Sequence, residues 1–86
     1  MTFRLRTDEL SWRVIDDEVV ILDAHRATYL AVNGVGARLW PALVEGATLD
    51  QLAGMLVEAY EIDHARARSD ARRFVAALSD QGLIAA

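Results

Sequence analysis

The hydrophobic pattern of this chain changes period at Asn33. Ahead of it stand three short runs, Ser11–Ile15, Val19–Leu22 and Thr28–Val32, rich in the β-branched and aromatic residues that suit a pleated, half-buried surface. Behind it every apolar pattern repeats at helical spacing. Strands segregated ahead of helices predict an α+β domain: a three-stranded antiparallel sheet followed by three helices. The stretch Thr28-Tyr29-Leu30-Ala31-Val32-Asn33 sits at the change. If the runs pair in order it is the last strand of the sheet, and its outer edge is free. Unpaired N–H and C=O groups along such an edge can take up an extended peptide as a further strand. The central expectation is therefore a peptide-binding module. Within the stretch, Thr28, Leu30 and Val32 share one face and Tyr29 and Ala31 the other. The first set is assigned to the core, because Val32 leads directly into the helix that must close over it.

The segments before this strand set its context. Met1–Leu10 mixes Arg4, Arg6, Asp8 and Glu9 with Phe3 and Leu5 without a clear period and is expected to be an arm, strand-like at its end. Asp16-Asp17-Glu18 reads as a solvated hairpin turn. Val19–Leu22 is apolar on both faces, so either both are covered or one meets a partner. Asp23–Ala27 is the next turn, and His25, with no second ligand at suitable spacing, is expected at the surface.

Asn33 is the expected N-cap of the first helix, with Gly34 and Gly36 in its opening turn for close approach or a bend. Ala37, Trp40, Leu43 and Val44 mark its inner face. Pro41 lacks an N–H and clashes with the carbonyl of Ala37, predicting a kink near Trp40 or two short turns; Gly46 ends the element. Thr48-Leu49-Asp50-Gln51 has capping-box form. It opens a helix striped by Leu49, Leu52, Ala53, Leu56, Val57 and Tyr60. Asp63 caps a last helix from about His64 to Asp80, stopped by Gly82. The inner face of that helix is Ala67, Ala71, Phe74, Val75 and Leu78, with Arg66, Asp70, Arg73 and Ala77 along one flank. Leu83-Ile84 is expected to fold back onto the core.

A chain of 86 residues is expected to be a single domain, with a core from about residue 11 to 84. At this length it buries roughly 60–65% of its unfolded surface. It has no cysteine, which removes disulfides and thiolate metal sites. No apolar run approaches the ~20 residues of a membrane span, and the chain is read as soluble and cytoplasmic. Its nine basic residues are all arginine and its net charge is −4, a poor balance for binding a phosphate backbone.

The sequence carries no catalytic constellation: no Gly-x-Ser-x-Gly, no His-x-x-x-His, no Gly-rich phosphate loop, and serines without a distinctive setting. No enzyme, no metal and no cofactor is expected. A winged-helix DNA-binding regulator is a rival reading, since Arg66, Arg68, Arg72 and Arg73 lie on the last helix. Asp63, Asp70 and Asp80 on or beside it, and the acidic turn Asp16-Asp17-Glu18, oppose that role.

Tyr29-Leu30-Ala31-Val32 followed by Asn33-Gly34-Val35-Gly36-Ala37-Arg38-Leu39-Trp40 resembles the strand-to-helix signature of PqqD-like proteins. Thr48–Leu52, the Tyr60–Asp63 break, and Phe74-Val75-x-x-Leu78 with Gly82-Leu83-Ile84 fit in order and spacing, so the similarity spans about Val19–Ile84. Each piece alone is weak. Pro41 and a bare Ala85-Ala86 end depart from the pattern.

The resemblance implies a RiPP recognition element of winged helix-turn-helix-like architecture, which binds the leader of a ribosomally made precursor peptide. The leader is expected to add as an antiparallel strand beside the third strand, in the groove against the third helix. Arg26–Leu30 and Trp40–Leu43 look most like the lasso-peptide proteins, which work with a separate leader peptidase of transglutaminase-like, cysteine-protease type. The alternative is a peptide chaperone of pyrroloquinoline-quinone biosynthesis serving a radical SAM enzyme.

On this reading the backbone of Thr28, Tyr29, Leu30, Ala31 and Val32 pairs with the leader. Tyr29, Leu30, Val32, Phe74 and Ala77 line side-chain pockets, and Asp70 and Arg73 set register through charge-assisted hydrogen bonds. The bland alternative makes Leu30, Val32 and Phe74 simple core and Asp70 and Arg73 a solvated flank. The second face of the sheet, Val19 and Ile21 among others, is the expected dock for the partner enzyme. An open strand edge also allows a homodimer.

Overall fold

Two hairpins make the sheet. In the computed structural model, which describes residues 1–6 and 8–85, strands β2 (Leu10–Ile15), β3 (Glu18–Asp23) and β4 (Thr28–Asn33) pair antiparallel in that order. Thr7 of the expected arm and Ala86 of the expected bare end lie outside the described residues. Asp16 turns the first hairpin with φ 54°, a left-handed conformation that Asp tolerates better than most residues. The second turn is built by Asp23, whose Oδ1 accepts from the backbone N–H groups of His25 (3.1 Å) and Arg26 (3.3 Å). That local bond is why an Asp suits the position.

The register fixes the faces. Trp12, Ile21 and Leu30 stand opposite one another, as do Val14, Val19 and Val32. Because side chains alternate along a strand, these rows share the inner face, and Ile21 and Val19 are fully buried there. The expectation that Val19 and Ile21 offer a free docking face is therefore wrong. They face the helices, and the free face carries their neighbours Val20 and Leu22.

Helix α1 (Val35–Glu45) buries Gly36, Leu39, Trp40 and Leu43. This corrects the predicted face, on which Ala37 and Val44 are only partly covered. Asn33 is not its cap: it ends β4, paired with Glu18, and Gly34 occupies the cap with φ 56° and no side-chain cap bond. The chain must turn sharply between sheet and helix, and a left-handed glycine makes that turn at little cost. Pro41 does not split the element; α1 runs through it as one helix. Pro41 is exposed, so water can satisfy the Ala37 carbonyl, while Leu39, Trp40 and Leu43 hold both turns on the core. The Trp40 ring meets Trp12 edge to face, centroids 5.7 Å apart, a favoured aromatic geometry.

Gly46 ends α1 at φ 100°. After the short β5 (Ala47–Thr48), helix α2 (Leu49–Tyr60) opens with both halves of the capping box, Thr48 with Gln51. Leu52, Ala53 and Leu56 are its buried residues. Helix α3 (His64–Asp80) starts at the Asp63 cap, whose carboxylate accepts from the Arg66 N–H, and buries Ala67, Ala71, Val75 and Leu78. Leu83 folds back into the core as expected.

The N-terminal arm is more ordered than its sequence implied. Strand β1 (Thr2–Phe3) pairs with β5, and Leu5 is buried, bridging to Ile84. Backbone bonds from Arg6 N–H to Leu83 C=O and from Ala85 N–H to Arg4 C=O hold the two terminal segments together, and Leu5 N–H to Leu43 C=O ties the arm to α1. The core thus reaches back to Leu5 and Leu10. No helix among the described residues is long and apolar enough to cross a membrane.

Candidate peptide-binding groove

Among the described residues strand β4 pairs only with β3, so its other side is an unpaired backbone edge. Its six residues, Thr-Tyr-Leu-Ala-Val-Asn, include no charge and no proline, the usual devices that protect an edge from strand addition. The exposure pattern alternates as the parity predicts: Thr28, Leu30 and Val32 are partly covered, and Tyr29 and Ala31 are exposed.

Helix α3 flanks this edge. Near its middle, Phe74 approaches Val32 across Gly36: a Cβ at Gly36 would lie 2.8 Å from Phe74 Cε1 and 3.2 Å from Val32 Cβ. At its end, Asp80 and Gln81 share a cleft of about 360 Å³ with Thr28, Leu30, Asp23 and Arg26. Phe74 near Val32 and Asp80 near Thr28 mean that α3 runs opposite to β4 alongside it. Strand and helix thus meet at an apolar approach, Val32 to Phe74, at one end and at a polar cleft, Thr28 to Asp80, at the other.

The predicted site residues divide accordingly. Leu30, Val32 and Phe74 are half-buried, each packing against the core while keeping part of its surface uncovered. Asp70 is partly covered, and its carboxylate lies 3.8 Å from the Arg66 guanidinium one turn back. Arg73 and Ala77 are exposed on the same helix. Tyr29, 72% exposed, stands on the opposite face of the sheet from α3, so its ring does not line the groove.

Sequence reasoning missed the device that holds the polar end together. Asp23, read as a turn residue, is 1% exposed and carries an ion pair with Arg6, Nη2 to Oδ2 2.8 Å. Burial pushes its carboxyl up, but the Arg6 hydrogen bond and charge, with the N–H groups of Arg26 and His25, outweigh that and hold it below the ordinary carboxylate value. Reciprocally, the Asp23 hydrogen bond raises the Arg6 guanidinium above its ordinary value against the opposing effect of burial. Arg6 also donates to the Gly82 carbonyl at 3.0 Å, and Arg26 to the Gln81 carbonyl. The arm, the β3–β4 turn and the end of α3 are thereby fastened at one point. An Asp two residues before a His in a turn was the only sequence signal for it, and it does not specify a partner 17 positions away.

The acidic tip of the β2–β3 hairpin, Asp16, Asp17 and Glu18, is exposed. Of the α3 arginines, Arg66 is paired with Asp70 and Arg68 with Asp50. Among the described residues no group of three or more His, Asp or Glu side chains could hold a metal ion.

The family model described as coenzyme PQQ synthesis protein D (PqqD) matches residues 18–84. Among solved structures, one described as TbiB1 in complex with the TbiA(beta) leader peptide superposes with a TM-score of 0.85. It is 31% identical, over 94% of this chain and 93% of that one. A second, a lasso peptide synthetase B1 complexed with the leader peptide, gives a TM-score of 0.84 at 28% identity, covering 98% of each chain. Comparison with curated proteins yields no match.

Proposed function

The chain belongs to the PqqD family, and from that membership we propose that it is the leader-peptide recognition protein of a lasso-peptide pathway. The observation that carries the reading is the unpaired edge of β4 lying along α3, in a chain whose structural relatives are B1 proteins complexed with leader peptides. The leader adds antiparallel to Thr28–Val32. Backbone bonds supply affinity with little sequence choice, and side-chain pockets supply the choice. Every second leader residue points into the groove. At the Val32 end it meets Leu30, Val32 and Phe74, which favour an aromatic or aliphatic side chain. Ala77 borders that stretch of α3, and the charges of Arg73 and Asp70 beside it fix register. At the Thr28 end the leader passes the polar cleft of Arg26 and Asp80.

On this reading the chain is a non-catalytic partner. A leader peptidase of cysteine-protease type performs the cleavage on a substrate held beside it. Holding both on one scaffold raises the effective concentration of the scissile segment to the millimolar range, ~10²–10⁴-fold beyond either affinity alone. The whole chain acts as one domain. The radical SAM alternative shares the leader-binding step but is less specific to the structural relatives. The exposed carboxylates at the hairpin tip, and the carboxylates that pair with Arg66 and Arg68 on α3, speak against a DNA-binding role.

The deciding experiment is titration of a fluorescent leader peptide, encoded beside this chain, with the purified protein. Saturable binding at micromolar concentration or tighter, insensitive to duplex DNA, is the expected result. A folded protein that binds no such leader would refute the reading.

A further inference from the structure

The outer face of the sheet is unusually apolar for a surface that no element among the described residues covers. Antiparallel sheets with one solvated face ordinarily put polar residues there. Here the two rows Ser11–Leu22–Tyr29 and Arg13–Val20–Ala31 carry four apolar or aromatic residues, and Ile15, 49% exposed, extends them. Val20 and Leu22 are only partly covered, and neither belongs to the core cluster. Tyr29 rises at the rim, and Val20, Leu22 and Tyr29 border, with Ser11, Arg13 and Ile15 of β2, a shallow cleft of about 400 Å³.

Chain direction selects the occupant. A leader antiparallel to β4 has its N-terminal part beside Val32 and its C-terminal part beside Thr28. The cleavage site, which follows the leader, therefore leaves the sheet at the Thr28 end, where the Leu22–Tyr29 row lies. We propose, resting on the leader-binding reading above, that Val20, Leu22 and Tyr29 form the docking surface for the protease that cuts the precursor. The face of three six-residue strands offers only about 300 Å² from strand spacing and rise, well short of the ~800 Å² per partner of a stable interface. That is too little for a stable dimer and suits the transient contact of an enzyme that docks, cuts and leaves. A bound leader adds a fourth strand and widens the same face by about a third, so docking strengthens when the leader is present.

The test uses the full chain, the precursor peptide and the peptidase encoded beside it. Val20→Thr/Leu22→Thr keeps β-branched residues on the strand while removing apolar surface. Ser11→Glu, at an already exposed position of the same row, guards against a folding defect in the double variant. Leader affinity within twofold of the parent and precursor cleavage slowed at least tenfold, in both variants, is the expected result. Cleavage within twofold of the parent in either folded variant would overturn the proposal. So would a concentration-dependent dimer in sedimentation that the double variant abolishes without slowing cleavage, which makes a second copy the occupant. A parent chain that binds leader yet does not accelerate the peptidase overturns the docking surface alone. A parent chain that binds no leader overturns the underlying reading as well.

Discussion

The ring of Phe74 occupies the space that a side chain at Gly36 would need: a Cβ there would lie 2.8 Å from Cε1 and 3.1 Å from Cζ. Gly36 is buried in the first turn of α1 with ordinary helical backbone, so its role is steric rather than conformational. The absence of its side chain lets the ring rest between helix and strand and shapes the apolar end of the groove. Gly36→Ala gains about 1 kcal/mol of helix propensity and loses about 1–3 kcal/mol to overpacking. The half-buried Phe74 relieves the overlap by swinging outward. Thermal unfolding should therefore change little, whereas leader affinity, measured by fluorescence polarisation, falls about tenfold, or ~1.4 kcal/mol.

Phe74→Ala and Arg73→Ala separate the two contributions of α3. Removing a half-buried ring costs less than a full core deletion, about 1–2 kcal/mol of stability against the ~3–5 of a buried Phe, and should weaken leader binding more than tenfold. Arg73 is exposed, and its truncation should stay within about 0.5 kcal/mol of parental stability. Its loss should weaken binding only a few fold, by an amount that shrinks as salt is added. Binding unchanged in both folded variants would place the leader elsewhere.

The sheet has two free edges, β2 and β4, and hydrogen exchange distinguishes them. Strand addition to β4 should slow the outward-facing amides of residues 28–33 while leaving the β2 edge at its free rate. Protection at residues 10–15 instead would move the site to the opposite side of the sheet.

The Asp23–Arg6 pair gives an acid dependence. Because the folded-state carboxyl is held below its ordinary value, it contributes stability above the unfolded value of about 3.9. That contribution is lost as pH falls through the folded value. Asp23→Asn should therefore unfold at lower temperature than the parent at pH 7, and the difference should vanish in a calorimetric series carried below the folded value. The same variant loosens the Thr28 end of the groove, because Asp23 orders the turn that presents Arg26.

Thr48→Ala serves as a remote control. It removes the side-chain acceptor for the Gln51 N–H, 3.1 Å away, and should cost about 1 kcal/mol in denaturant unfolding. Leader affinity should not change, since Thr48 lies on neither β4 nor α3.

Much of this architecture was legible locally. Alternation in Thr28–Val32 determined which of its side chains meet the helices. The caps at Thr48 and Asp63 and the stop at Gly46 were set by side-chain chemistry within four residues of each helix end. The candidate groove residues on β4 and α3 followed from these periodicities and from the resemblance to PqqD-like proteins. What local pattern could not decide was which of two apolar faces is covered. Val19 and Ile21 alternate with Val20 and Leu22, equally apolar, and only register against β2 and β4 sends the first pair inward. Nor could it reveal partners distant in the chain. Leu5 is buried because β1 and the C-terminal segment converge on it, and Asp23 is buried because Arg6 arrives to neutralise it. Gly36 matters because a helix more than thirty residues later lays Phe74 against it. The sequence by itself determined the elements and their inward stripes, because those depend on periodicity and on groups a few bonds apart. Tertiary structure alone decided the long-range pairings, because burying a charge or approaching a backbone depends on what the rest of the chain brings to the same place.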